Sequence, residues 1–405
     1  MSTAGRPYRQ YPHAVAVTGL AFIALLLAAC TSATSQAQPP TPSGPPPPPP
    51  KSAAAVSVTP DANAQLNPKT PVVVKATNGT LTAVVMTNSA KGSQVSGSLS
   101  PDKTTWTSTE PLAYGATYDV NAAAVDAHGL GAQQNTQVHT VTPAATAYPS
   151  MIPAPNSNPS FGVGQIIGVS FDHAITDKAA AVKALSVTSD PPQTGAWYWV
   201  DSHTVHYRPQ NYWQPNTKIT VHVNTYGVNL GDGVYGQTDR TATYQIHDSW
   251  VAKADGKTES MQILHNGQVV NTMPISLGAP GFPTHEGPHV ISDKQPSIIM
   301  DSCTYGVCPG QPGYYNEKVD LDERISNDGE FVHSAPWSVG QQGNDNVSHG
   351  CINLSPDNAQ WFFNNFGLGD VVEITNSGGP TLPIWDTYGD WELPWSQWSQ
   401  GNSNN

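Results

Sequence analysis

Short runs of β-branched and apolar residues, each closed by a turn former, constrain this chain more than any other feature. Val72-Val73-Val74-Lys75-Ala76-Thr77 runs into Asn78-Gly79. Leu81 to Thr87 forms a second run, and Tyr118-Asp119-Val120-Asn121-Ala122 a third. Such runs read as strands, and asparagine followed by glycine closes a strand because both residues tolerate positive φ. The chain holds 35 glycines, 37 prolines and 11 tryptophans in 405 residues, with only 12% charged. That mixture belongs to all-β domains with many turns, working outside the cytoplasm. The length supports two to four domains, each able to bury a core.

The pattern recurs. Ile166-Ile167-Gly168-Val169-Ser170-Phe171-Asp172, Thr204-Val205-His206-Tyr207 and Ile219-Thr220-Val221-His222-Val223 read as strands of a second unit. Pro111 to Val120 is echoed by Pro209 to Val221, each a turn followed by a strand, which supports a duplication. Regularly spaced short strands suggest two immunoglobulin-like β-sandwiches, residues 56–145 and 146–249. The Cys…Trp…Cys spacing of true immunoglobulin domains is missing. Neither unit carries visible chemistry, so each is read as a spacer or docking module.

From about residue 250 the character changes. Ser260 to Leu264, Gln268-Val269-Val270 and Asn271 to Leu277 read as strands around an Asn266-Gly267 turn. Ser297-Ile298-Ile299-Met300 is another, and Phe331-Val332-His333 would deliver a histidine at a strand end. Ser355-Pro356-Asp357 is an N-cap, a first-turn proline and an acidic first turn. Ala359, Phe362, Phe363 and Phe366 then share a helical face that Gly367 ends, and Gly369 to Thr375 is a closing strand. One main helix on a β-rich body, residues 250–376, is expected. Residues 377–405 hold Trp385, Trp391, Trp395 and Trp398. They read as a subdomain packed back on that body, a sugar-stacking patch being the alternative.

The balance of 17 basic against 30 acidic residues, net −13, argues against nucleic acid as a partner. Arg6 and Arg9 precede a mostly apolar stretch, Val15 to Ala29, too short to make a good membrane span. Residues 1–30 therefore read as an export signal. The ending Leu27-Ala28-Ala29-Cys30 is similar to the lipobox of bacterial lipoproteins, with Cys30 as the lipidated residue and membrane anchor. An ordinary secretory peptide is the alternative. Residues 31–55 include the run Pro45 to Pro50 and form a semi-rigid spacer. Cys303 and Cys308, five apart in Cys-Thr-Tyr-Gly-Val-Cys, are a disulfide in an oxidising compartment or two free thiols.

Chemistry concentrates in His333-Ser334-Ala335-Pro336-Trp337 and Ser348-His349-Gly350-Cys351-Ile352-Asn353. A free thiol titrates near pH 8.5, and a neighbouring imidazole can take its proton, as in cysteine–histidine acyl-transfer enzymes. Gly350 beside Cys351 suits close backbone approach and exposed amides. A zinc site on His333, His349 and Cys351 would want a fourth ligand in a paired spacing, and none is visible.

This motif resembles the signature of the L,D-transpeptidases, which cross-link bacterial cell-wall peptides. The resemblance runs from about residue 150 to the end. It is nearest to actinobacterial members with two immunoglobulin-like domains, whose character shows in Phe331 to Gly340 and Gly389-Asp390-Trp391. It implies a cysteine acyl-enzyme, release of D-alanine from a tetrapeptide stem and a 3→3 cross-link, with no metal or organic cofactor. It also implies Cys351 as nucleophile, His333 as base, and Ser334 orienting His333 through its carbonyl. His349, Gly350 and the Cys351 amide would line the oxyanion region, and Asn353 would brace the loop. Tyr305 and Tyr315 would cover the pocket, with Met300 and Trp337 on its wall. An L,D-carboxypeptidase, a protein-to-peptidoglycan attachment enzyme or a non-catalytic wall-binding scaffold are the alternatives. Nothing in the sequence sets the oligomeric state.

Overall fold

The computed structural model describes residues 49–402. Residues 1–48, on which the expected export signal, the expected lipidation at Cys30 and most of the expected spacer fall, lie outside them. Among the described residues no helix is long and apolar enough to cross a membrane. The chain is mainly β, as the turn-punctuated pattern requires.

The first sandwich packs two four-stranded sheets. One has the order Ala55–Thr59, Val73–Thr77, Thr105–Ser108, Gly97–Leu99; the other has Gln65–Leu66, Gly131–Thr140, Thr117–Val125, Thr80–Asn88. Along Thr117–Val125 the residues Tyr118, Val120, Ala122 and Ala124 are buried and those between them are not. That period of two turns one face onto Val74, Met86, Trp106 and Val138. The second sandwich sets Pro149–Ile152, Ile167–Phe171, Thr204–Pro209 and Gly195–Trp199 against Leu185–Asp190, Lys218–Asn224 and Asp239–Gln245. The two sandwiches touch through Tyr114, whose hydroxyl donates to the Gly236 carbonyl at 2.8 Å, and through the Lys69–Asp239 ion pair at 2.7 Å.

The body beyond residue 250 is built on two sheets. The five-stranded sheet runs Gln268–Pro274, Ser260–His265, Trp250–Asp255, Val371–Thr375, Gly287–Val290. The four-stranded sheet runs Asp293–Asp301, Asn316–Arg324, Phe331–Ser334, Ile352–Leu354. Ile263, Met273, Val332, Leu354 and Phe362 fill the core of this body. Ser355 caps the helix Pro356–Asn365 by accepting from the Asn358 amide at 3.3 Å, with Pro356 in the first turn. That start is the one its sequence dictates.

The closing strand falls where expected, Val371–Thr375, and it lies inside its sheet, parallel to Trp250–Asp255. Its side chains are therefore shared, and Val371 packs in the core of the second sandwich. Phe363 is only partly buried and sits under the Lys294 ammonium, 4.2 Å from ring centroid to nitrogen. The tail packs on both neighbours: Leu382 donates to the Glu286 carbonyl and Asp386 accepts from the Asn327 amide of the body it follows, while Trp391 and Trp398 dock on the second sandwich. Arg208 lies 4.6 Å from the Trp398 ring and 4.7 Å from the Trp391 ring, and donates to the Leu393 carbonyl at 2.6 Å. Trp398 is fully buried and its indole N–H donates to Ala196, whereas Trp385 is 70% exposed. A guanidinium between indole faces is a favourable cation–π arrangement, which the sequence alone could not locate.

Candidate active site

His333 and Cys351 come together because of one strand pairing. Phe331–Ser334 and Ile352–Leu354 run parallel, with His333 opposite Asn353. Residues two apart in an extended chain share a face, so Cys351 projects toward the same side as Asn353 and His333. Phe331 and Val332 bury the strand that carries His333, and Ile352 and Leu354 anchor the other.

The histidine is oriented from behind. Its Nδ1 donates to the Ser334 carbonyl at 3.0 Å, which leaves Nε2 with the lone pair. The Asn353 side chain also hydrogen-bonds the ring, while its amide donates to Ser338 Oγ at 3.1 Å. Trp337 lies along the imidazole at 5.9 Å between centroids. The Cys351 thiol points at the Gly329 carbonyl, 3.6 Å away.

Both reacting groups rest neutral. Burial pushes the Cys351 thiol up to about 12, and the Glu330 and Asp322 carboxylates push the same way. Burial also pulls the His333 imidazole down to about 4, against the hydrogen bonds from Ser334 and Asn353. Burial in a dry cleft thus disfavours both charges, and the thiol and imidazole are pushed toward their neutral forms. The arrangement suits transfer of the thiol proton to Nε2 during attack.

Gly350 holds the loop before the nucleophile in a left-handed conformation, φ +121°. A side chain is strained there, so glycine is the residue that fits. Its amide donates inward to Ser348 Oγ at 3.1 Å, and Ser348 Oγ in turn donates to the Cys351 carbonyl at 2.7 Å. Gly350 therefore shapes the loop, and its N–H is not directed at the oxyanion region as expected.

A cavity of about 480 Å³ opens over these groups. Met300, Tyr315, Trp337, His349, Cys351, His333 and Asn353 line it, together with Glu317, Val319, Val347 and Ser348. Glu317 and Val319 had no local signal in the sequence; they arrive by pairing of Asn316–Arg324 with Asp293–Asp301, which places Glu317 beside Met300. The His349 ring sits between Phe282 at 4.8 Å and Tyr315 at 5.3 Å. Ser348 itself stands in the motif.

The loop expected to cover the pocket is tied down, and its Ser302, Val307 and Gly313 line a second, smaller cavity. Cys303 and Cys308 form a disulfide, and Ser302 and Tyr315 exchange hydrogen bonds at its base, 3.0 and 2.9 Å. Tyr305 ends the 3-10 turn Ser302–Tyr305 within that loop. The second cavity, about 210 Å³, lies across Tyr315 and His349 from the first and is also lined by His285, Asp328 and Glu330.

A buried thiol and an oriented neutral imidazole in one cleft define a cysteine acyltransferase. The L,D-transpeptidase catalytic domain model matches residues 249–374, and a bacterial Ig domain model matches residues 63–229. L,D-transpeptidase 2 of Mycobacterium tuberculosis is 44% identical over 349 residues, covering 86% of this chain and 83% of that protein. L,D-transpeptidase 1 of the same species is 35% identical over 242 residues, 58% of this chain and 91% of that protein. The solved structure of the LD transpeptidase LdtMt1 in complex with imipenem aligns with TM-score 0.50 at 33% identity, covering 57% of this chain and all of that one. The chain belongs to the L,D-transpeptidase family.

Proposed function

We propose that this enzyme is a peptidoglycan L,D-transpeptidase in which Cys351 is the nucleophile and His333 the general base. The observation that carries the assignment is the single cavity shared by Cys351 and His333, with Nδ1 of the histidine held by the Ser334 carbonyl. The Cys351 thiol attacks the carbonyl of the third residue of a tetrapeptide stem while its proton passes to His333 Nε2. The tetrahedral oxyanion takes donors from the loop around His349 and the Cys351 amide; such donors contribute about 3 kcal/mol each. Collapse breaks the amide bond, and His333 returns the proton to the departing D-alanine amine. A side-chain amine of a diaminopimelate on a second stem then attacks the thioester. It loses a proton through His333, and the thiol is restored as the 3→3 amide forms.

Met300, Tyr315 and Trp337 provide the apolar wall for the donor stem, with Tyr305 on the covering loop. Asn353 braces His333. A covered, aromatic-lined cleft limits water, the competing acceptor. The same reading makes the enzyme an exported lipoprotein on the outer face of the cytoplasmic membrane. Cys30 would be acylated and residues 31–55 would be the spacer; the support is the Arg6/Arg9 region and Leu27-Ala28-Ala29-Cys30. The mass of the N-terminal peptide from membrane fractions tests that anchor.

Intact mass spectrometry of the enzyme incubated with a disaccharide tetrapeptide tests the reaction. Release of D-alanine with a 3→3 dimer is expected. Tripeptide alone would mean a carboxypeptidase, and no turnover would mean a wall-binding scaffold.

A further inference from the structure

Behind the loop Ser348–Cys351, three side chains that the acyl transfer does not use converge in the second cavity, and a fourth, His289, lies buried against one of them. His285 Nδ1 lies 3.0 Å from Glu330 Oε1 and 3.6 Å from Asp328 Oδ2, and one ligand atom from each of the three falls within 4.8 Å of the others. His289 Nε2 lies 3.3 Å from the other Glu330 oxygen. Four ligands at 2.0–2.1 Å around a tetrahedral zinc ion stand about 3.3 Å from one another. The two distances from His285 Nδ1, 3.0 and 3.6 Å, bracket that edge.

Each group is also aimed. His289 Nδ1 donates to the Gly287 carbonyl at 3.0 Å, which turns the lone pair of Nε2 toward Glu330. Ser326 Oγ holds the far oxygen of Asp328 at 2.5 Å, and the His285 amide holds Glu330 Oε1 at 2.8 Å. Outer partners of this kind orient the ligands of metal sites. Two of the aimed atoms have no hydrogen-bond partner: His289 Nε2, in a fully buried residue, and Glu330 Oε2, in a residue 5% exposed. The two face each other at 3.3 Å, a buried arrangement that a proton or a cation between them satisfies.

We propose that His285, Asp328 and Glu330, with His289 across Glu330, form a binding site for a divalent transition-metal ion of the zinc type. Mixed imidazole and carboxylate ligands suit such ions. The ion reaches the site through the second cavity, which His285, Asp328 and Glu330 line. It sits against the nucleophile loop, because a side chain at position 350 would come within 3.5 Å of Glu330. The reaction needs no metal, so the site is an addition to the catalytic cleft. It is separate from Cys351 and His333.

The test is binding, read without turnover. Full-length C351A protein, which removes the thiol as a competing ligand, is stripped with EDTA, dialysed and titrated with zinc chloride by calorimetry. One equivalent is expected. The H285A/C351A protein should lose it. The D328N/C351A protein, altered at a partly exposed position that leaves the core intact, should bind at least tenfold more weakly. Absence of zinc uptake by C351A overturns the proposal, and so does uptake unchanged by D328N. If H285A does not fold, as circular dichroism would report, D328N decides the matter.

Discussion

His333 and Asn353 are register partners in a parallel strand pair, and their side chains hydrogen-bond over the catalytic cleft. Ser334 and Asn353 thus hold one imidazole from two strands, the first by a main-chain carbonyl and the second by a side chain. Asn353→Ala removes the second support and leaves the first. Acylation by imipenem, followed by mass, should slow on the order of tenfold, against several orders for His333→Ala. An unchanged rate in Asn353→Ala would show that the Ser334 carbonyl suffices.

The resting thiol has a distinctive pH signature. With Cys351 pushed up to about 12 and His333 down to about 4, both are neutral throughout the range between. The thiolate fraction then rises about tenfold per pH unit across neutrality. Alkylation of the free enzyme by iodoacetamide should climb steadily from pH 6 to 9. A plateau near pH 7 would reveal a resting thiolate–imidazolium pair and contradict the neutral site.

Asp322 is one of several buried carboxyls in the body that burial disfavours in the charged form. It is buried, neither carboxylate oxygen has a partner, and burial followed by the Asp320 charge raises it to about 7. The folded state thus keeps a proton that the unfolded chain releases near pH 4. Stability from this group is full below pH 4 and is lost as pH rises to 7. Asp322→Asn should raise the unfolding free energy from urea titration at pH 8 by about 1–2 kcal/mol after allowance for partial solvation, and the gain should vanish near pH 4. A gain equal at both pH values would point to packing instead.

Arg208 joins the second sandwich to the tail through two carbonyl acceptors, Asp390 and Leu393, and the faces of Trp391 and Trp398. Arg208→Ala should destabilise by about 3 kcal/mol, since charged hydrogen bonds and desolvated cation–π contacts are lost together. Tryptophan fluorescence should report the loosened tail in urea titrations. An unaltered midpoint would mean that the Trp398 indole and its neighbours hold the tail without the guanidinium.

Much of the architecture was legible beforehand, and for a local reason. Alternation in Thr117–Val125, the Asn266-Gly267 turn and the Ser355-Pro356-Asp357 helix start are written in consecutive residues, where backbone preference and period decide the outcome. The nucleophile motif is likewise short. Residue types suggest a cysteine–histidine pair there, and the motif's resemblance to the family assigns the roles of Cys351, His333 and the Ser334 carbonyl.

What surrounds them could not. Amphipathic periodicity specifies that a face is buried and leaves open what buries it. Val371 could not announce that it serves the second sandwich, nor the tryptophans that their partner is Arg208. The neutrality of Cys351 is a property of enclosure, and the convergence of His285, Asp328 and Glu330 joins segments more than forty residues apart. The sequence by itself determined strands, turns, helix cap and catalytic residue types, because these rest on neighbours along the chain. Only the tertiary structure decided the protonation state, the tail's dock and the cluster behind the nucleophile, because these rest on desolvation and on contacts between distant segments.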